Sequence, residues 1–251
     1  MTPLAWLGAL LIGLSLGLLG SGGSIVTVPV LVYLLGQPEK PAIAGSLLVV
    51  GLIAAAGTIQ HLRAGRVERR VTLMFGVPGM AGALLGTSLS ALVPGGVQLL
   101  VFAGIMLAAA WIVLNPHEAT GQPGDAAATM PVVASGLGVG VLTGFVGVGG
   151  GFLIVPALLA FARLDLPRAV ATSLSVILLN CVVGFASHYV VLQRAGVGLD
   201  WGTLLLISAI GVIGGIVGQR FATRLPQQAL RRTFAAFLVG IAVYIFVTRL
   251  G

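Results

Sequence analysis

A glycine-rich stretch interrupts an apolar run near the start of the chain, and a similar stretch interrupts another run past the middle. The first reads GSGGSIVTVP at residues 20–29, and the second reads GVGGGFLIVP at residues 147–156. Glycine disfavours helix because its backbone loses the most conformational freedom on ordering. Each stretch therefore predicts a helix that is broken in its interior, and the chain carries this break twice.

The apolar runs around these breaks predict a membrane protein. The chain is 58% hydrophobic and 8% charged, too poor in charge to cover a surface that faces water on all sides. A membrane span needs about 20 residues, so the six unbroken runs predict transmembrane helices. The eight runs lie at 4–35, 42–62, 71–93, 97–114, 130–162, 168–192, 201–222 and 230–249.

The two broken runs, 4–35 and 130–162, are too long for one span and too short for two. Split at its glycines, the first gives half-helices of about 24 and 16 Å at 1.5 Å per residue. These lengths fit a re-entrant hairpin whose two half-helices meet near the middle of a bilayer core of about 30 Å. The predicted fold class is therefore an all-α polytopic membrane protein.

The two halves of the chain correspond at an offset of 127 residues. The offset matches Ser46 with Ser173 and His61 with His188, and after a short insertion Pro94 matches Pro226. A polar segment at 115–129 separates the halves, which indicates a linker. We predict a first repeat at 1–114, the linker at 115–129 and a second repeat at 130–251, each repeat with one hairpin and three transmembrane helices.

The charges of the loops predict the orientation. Four arginines lie in the loop at 63–70 and four in the loop at 220–232, and such loops favour the cytoplasmic side. Both loops reach that side only if the run at 130–162 enters and returns, which makes the two repeats inverted relative to each other. We therefore expect both termini outside the cytoplasm, in the plasma or inner membrane. The net charge of +7 is explained by this bias, so no nucleic-acid partner is expected.

Inverted repeats with broken helices place a substrate site near the bilayer midplane, where the breaks meet. The second half-helices begin just after the glycines, and their first N–H groups are unpaired. Unpaired N–H groups and the positive end of a helix dipole bind anions. The candidate substrate ligands from the two breaks are Gly20, Ser21, Gly22, Gly23, Ser24, Gly147, Gly149, Gly150 and Gly151.

Polar side chains inside the spans give further candidates. Ser46 and Ser173 each follow a break by one element, although such hydroxyls often bond their own helix backbone. His61 and His188 lie near helix ends, where a gating, proton-handling or purely interfacial role is open. All six acids fall in loops or at helix ends, so no buried carboxylate is available for proton coupling. We expect no metal, no cofactor and no enzymatic activity, because no carboxylate pair and no Cys or His cluster is present.

The ordered motifs resemble those of the sulfite exporter family, TauE/SafE. The resemblance rests on the two glycine breaks ending in Pro, the AGSL and ATSL stretches at 44–47 and 171–174, and a following His. It covers nearly the whole chain and implies transport of sulfur-containing anions such as sulfite or organosulfonates. It also adds Thr172 to the candidate ligands. The first copy has Gly45 where the second has Thr172, which implies that the second half makes the tighter contact.

The leading hypothesis is a secondary transporter, acting as an exporter of small sulfur-containing anions. An anion channel or facilitator and a carrier of non-sulfur carboxylates remain alternatives. The expected partners are the small anion and the lipid bilayer, and a homodimer is open. The anion itself, the direction of flux and the coupling ion stay undetermined by the sequence.

Overall fold

The computed structural model describes residues 3–20, 23–114, 129–146, 151–222 and 227–250. These residues form helices joined by short connections, and no strand occurs among them. The helices are α1 (Pro3–Leu19), α2 (Gly23–Pro29), α3 (Glu39–Arg63), α4 (Arg69–Ala91), α5 (Gly95–Leu114), α6 (Thr129–Val146), α7 (Gly151–Phe161), α8 (Leu166–Arg194), α9 (Trp201–Ala222) and α10 (Gln227–Leu250).

Four of these helices are long and apolar enough to cross a membrane, judged by length and composition. They are α3, α4, α8 and α9, and shorter apolar helices accompany them. Helices α5 and α10 have 20 and 24 residues, and both lie where the sequence predicts spans. The all-helical, polytopic membrane character is confirmed.

The first broken run turns back on itself. Helix α2 continues as a π-helical turn over Val30–Leu34 directly after Pro29, whose missing N–H removes one bond of the regular helix. A Cβ at Gly8 would lie 3.0 Å from Val30, and one at Gly23 would meet the Ile12 carbonyl and the Leu16 side chain. Later residues of α2 thus contact earlier residues of α1, so the two helices pack antiparallel as a hairpin.

The second broken run also divides into two packed helices. Helices α6 and α7 have 18 and 11 residues and contact each other. Residues 147–150, between them, lie outside the described ranges. Helix α2 also contacts α7, so the two broken runs meet through their second half-helices.

Glycines bring α1 onto α9 and α6 onto α4 at backbone-to-backbone distance. On the first pair, a Cβ at Gly13 would meet the Gly211 carbonyl, and one at Gly17 would meet the Gly215 carbonyl. On the second pair, a Cβ at Gly140 would meet the Gly79 carbonyl, and the Gly144 and Ala83 pair repeats the pattern. Small residues at such interfaces let membrane helices approach closely without any hydrophobic driving force.

These contacts correspond pair by pair between the halves. Gly13 and Gly140 are related by the offset of 127, and Gly211 and Gly79 by an offset of 132, the same offset that relates Pro226 to Pro94. Gly214 approaches the Leu10 carbonyl just as Gly82 approaches that of Leu137. Exchanging the two halves of the chain therefore leaves this set of contacts unchanged.

Helices α3 and α8 cross at their centres. Gly57 approaches Leu174, Gly51 approaches Cys181, and Gly184 approaches Leu47. The residue number rises on one helix as it falls on the other, so α3 and α8 run antiparallel. Around this crossing lies the larger apolar cluster, while a second cluster joins α5 and α10 to Ile25 and Val28 of α2.

Candidate functional site

Gly20, the described residue at the edge of the first break, is held by contacts with α8 from the other half of the chain. Gly20 has a positive φ of 65°, a conformation that favours glycine, and its N–H donates to the Leu16 carbonyl at 2.8 Å. The Ser173 hydroxyl of α8 lies 3.0 Å from the Gly20 carbonyl and 2.8 Å from that of Val170. A Cβ at Gly20 would lie 2.5 Å from Val170, so α8 leaves room for glycine alone.

The helix that leaves this break begins at Gly23, which is buried against α1. The Gly23 carbonyl accepts a bond from the Thr27 hydroxyl at 2.8 Å, so that hydroxyl is used within the helix. Ser24 follows inside α2, whereas Ser21 and Gly22 lie outside the described residues. Of the first set of candidates, the structure therefore positions the backbones of Gly20, Gly23 and Ser24.

The second break is described on its two sides. Gly147, Gly149 and Gly150 lie outside the described residues, and Gly151 is buried at the start of α7. Before the break, α6 ends with carbonyls that have no intrahelical donor. The Gln98 amide donates to the Phe145 carbonyl at 2.6 Å, and His188 Nε2 lies 2.8 Å from the Gly144 carbonyl, which requires the proton on Nε2.

Lys40 and Gln98 are the polar residues at this end that the sequence reasoning missed. Lys40 Nζ donates to the Ser90 carbonyl at 2.6 Å, to the Val93 carbonyl at 2.8 Å and to Gln98 Oε1 at 2.6 Å. The ammonium thus caps the C-terminal end of α4, where a cation is favoured, and fixes the amide that holds α6. In the sequence, Gln98 could have been recognised as a polar residue inside the apolar run at 97–114.

The hydroxyls proposed as ligands bond protein groups in this structure. Ser46 Oγ donates to the Ile43 carbonyl at 2.8 Å. Thr172 Oγ1 accepts the Glu68 N–H at 3.1 Å, which places it beside the loop before α4. Arg168 pairs with the Glu68 carboxylate at 2.8 Å in the same region. The structure therefore puts Thr172 beside Glu68 and Ser173 beside the first break.

A few buried polar atoms have no hydrogen-bond partner among the described residues. His61 Nε2 is one of them, in contrast to His188. Asn180 is the most complete case, because both its amide nitrogen and its amide oxygen lack a partner while the residue is 0% exposed. The described residues contain no group of His, Cys, Asp and Glu that could hold a metal ion.

The described residues beside the two breaks contact α8 at different heights. Gly20 contacts α8 at Ser173, and the helix end before the second break contacts it at His188. At 1.5 Å per residue, these contacts are about 22 Å apart along the helix axis. Gly20 and Gly144 thus contact α8 on opposite sides of its centre. Residues 147–150 of the second break lie outside the described residues, so the site near the midplane stays a prediction.

Comparison with known proteins gives one family and several relatives. The family described as "Sulfite exporter TauE/SafE" matches residues 5–245. A "Probable membrane transporter protein" of Xylella fastidiosa (strain 9a5c) is 33% identical over 246 residues, which cover 94% of this chain and 91% of the relative. "Probable membrane transporter protein YdhB" of Bacillus subtilis (strain 168) is 24% identical over 88% of this chain and 90% of its own length. No solved structure matches.

Proposed function

The chain belongs to the sulfite exporter TauE/SafE family, and from this premise we propose that it is a secondary transporter that exports small sulfur-containing anions such as sulfite or organosulfonates. That it is a multi-pass membrane transporter follows from the family and from the apolar helices. The substrate class, the direction of transport and the binding site belong to the proposal.

The transport pathway is built from two inverted repeats, at 1–114 and 130–251, joined by the linker at 115–129. The pair-by-pair correspondence of the glycine contacts supports two equivalent halves. The antiparallel crossing of α3 and α8 supports their inversion, because these helices occupy the same place in the two halves. Inverted halves give a transporter two related conformations, open to opposite sides of the membrane.

The orientation of these repeats follows from the arginine-rich loops. The loops at 63–70 and 220–232 face the cytoplasm, and both termini lie outside it. The antiparallel hairpin of α1 and α2 supports the position of the N-terminus, because a run that enters and returns leaves α3 as the one crossing between the N-terminus and the loop at 63–70. A reporter fused after Gly251 should therefore be detected outside the cytoplasm, and a cytoplasmic reporter would refute the topology.

The anion binds near the bilayer midplane, at the starts of the half-helices of both repeats. The observation that carries this proposal is the hydrogen bond from the Ser173 hydroxyl of the other half to the Gly20 carbonyl. This bond fixes the place at which the helix starting at Gly23 begins. The helix starting at Gly151 takes the corresponding place in the second repeat. Free N–H groups at both starts attract an anion, and the substrate passes the midplane between them.

Substrate-dependent thermal stabilisation of the purified protein in detergent tests this proposal. A ligand of the folded state raises the melting temperature by mass action, and we expect this effect from sulfite, thiosulfate or sulfoacetate. Substitution of Gly150 by Leu should remove the response by filling the second break. Gly138→Leu is the matched control, because nothing lies within 4 Å of a Cβ at Gly138.

The same panel of anions, together with a flux measurement, separates the alternative functions. Stabilisation by simple carboxylates without any response to sulfur anions would favour the carboxylate carrier. Flux in proteoliposomes that fails to saturate with anion concentration would favour a channel over a carrier. A full response to sulfite in a well-folded Gly150→Leu protein would refute the role of the second break.

A further inference from the structure

Asn180 occupies the centre of α8, between the contacts that this helix makes with Gly20 and Gly144. It follows Ser173 by seven residues and precedes His188 by eight, so it lies about 10 Å along the helix from each contact. Seven residues are close to two helical turns, so Asn180 also lies on the same face of α8 as Ser173, the face that contacts Gly20. A substrate that travels from one break to the other passes this position.

The amide of Asn180 is buried without a partner in the part of the chain that the structure describes. An unpaired amide in an apolar environment is costly. The corresponding place in the other half shows that packing does not require an amide: Ile53 lies against Gly211 there, as Asn180 lies against Gly79. Polar residues inside membrane helices commonly mark the path of a substrate.

Helix α4, which packs against Asn180, contains two glycines and a proline at the same height. A Cβ at Gly79 would lie 2.8 Å from the Asn180 amide oxygen, and one at Gly76 would lie 2.9 Å from Leu179. Between these glycines stands Pro78, which cannot donate the usual hydrogen bond to the carbonyl of Met74. Two glycines and a proline let α4 bend or shift away from α8 at this level, which would uncover the amide.

We propose that the Asn180 amide is the central contact of the transported oxyanion. Its NH₂ group donates to the oxygen atoms of a sulfite or sulfonate group as the anion passes between the breaks. A neutral donor binds the anion without a fixed charge that would retain it. This inference rests on the proposed function, and it adds a side-chain donor to the backbone N–H groups at the starts of the two half-helices.

The test compares Asn180→Leu with the wild type in proteoliposomes that carry purified protein, with sulfite, thiosulfate and sulfoacetate as substrates. Leu removes the donors at a similar volume, so the variant should unfold at the same temperature as the wild type or higher. We expect the half-saturating anion concentration to rise about tenfold or more, as for the loss of a hydrogen bond to a charged group. Ile53→Leu, at the corresponding place in the other half, should leave transport unchanged.

A second variant covers the case in which Asn180→Leu fails to fold. Gly79→Ala keeps the amide but places a methyl group against it, and the half-saturating concentration should again rise. If the half-saturating concentration is unchanged in either folded variant, this inference is overturned while the proposed function stands. The amide would then bind a structural water and not the substrate. A wild-type protein that transports none of the three anions overturns the proposed function and this inference together.

Discussion

The two halves of the molecule share their backbone packing and differ in their polar groups. Gly13 meets Gly211 as Gly140 meets Gly79. Against this common frame, the first half places Ile53 where the second places Asn180. His188 donates to the Gly144 carbonyl, while His61 Nε2 finds no partner among the described residues. The comparison teaches that close helix packing keeps both halves alike, whereas the polar groups inside the spans are distributed unequally.

The largest expected effect comes from the shared glycine contacts. Gly140→Ala should lower the free energy of unfolding by about 3 kcal/mol, because its Cβ would collide with the Gly79 backbone, which cannot rotate away. Gly13→Ala should cost a similar amount through Gly211. Thermal or denaturant unfolding in detergent measures both variants.

Gly138→Ala is the control on the same helix, because a Cβ there meets nothing within 4 Å. It should leave stability unchanged or raise it slightly, since Ala is the better helix former. A large cost for Gly140→Ala together with none for Gly13→Ala would break the equivalence of the two halves.

The architecture was largely accessible from the sequence because it depends on apolar length and on glycine. Helices α3 and α8 extend over Glu39–Arg63 and Leu166–Arg194, close to the predicted runs at 42–62 and 168–192. The break in the first run was also placed correctly, since α1 ends at Leu19 and α2 begins at Gly23. A local feature such as a glycine cluster determines where a helix ends, whatever packs against it.

The site was less accessible because it depends on which helix lies beside which. The sequence marks Ser173 as polar, but only the contact of α8 with Gly20, just after α1, shows that its hydroxyl holds the Gly20 carbonyl. Asn180 resembles any other polar residue in a span until its missing partners become visible. The contacts of Gly20 and Gly144 with α8 were inaccessible for the same reason, because no spacing in the sequence reveals which residues of two helices meet.

A smaller effect should separate the two histidines. His188→Phe keeps the ring but removes the donor, so the Gly144 carbonyl loses its bond at the end of α6. We expect a loss of about 2 kcal/mol, as for a buried acceptor left unpaired. His61→Phe should change stability by less than about 0.5 kcal/mol, because it removes a ring nitrogen that has no partner in the described part of the chain. Equal losses in thermal unfolding would mean that the bond to the Gly144 carbonyl does not distinguish His188 from His61.

The smallest effect concerns the acids that precede α4 and α9. Asp200 Oδ1 accepts the Thr203 N–H at 3.1 Å and caps α9, whereas Glu68 makes no such cap and pairs with Arg168. At neutral pH, Asp200→Ala should cost about 1 kcal/mol, as for a typical N-cap. Glu68→Ala should cost less, because an exposed ion pair contributes little.

The cost of Asp200→Ala should depend on pH. The hydrogen bonds from the side chain and then the backbone N–H of Thr203 lower the pKa of the Asp200 carboxyl below its ordinary value. A carboxyl with a lowered pKa in the folded state stabilises it above the ordinary pKa, and this stabilisation is lost as the pH falls through the lowered value. The stability difference between wild type and Asp200→Ala should therefore be constant near neutral pH and shrink below about pH 4. A difference that stays the same in acid would mean that the ionised carboxylate does not cap the helix.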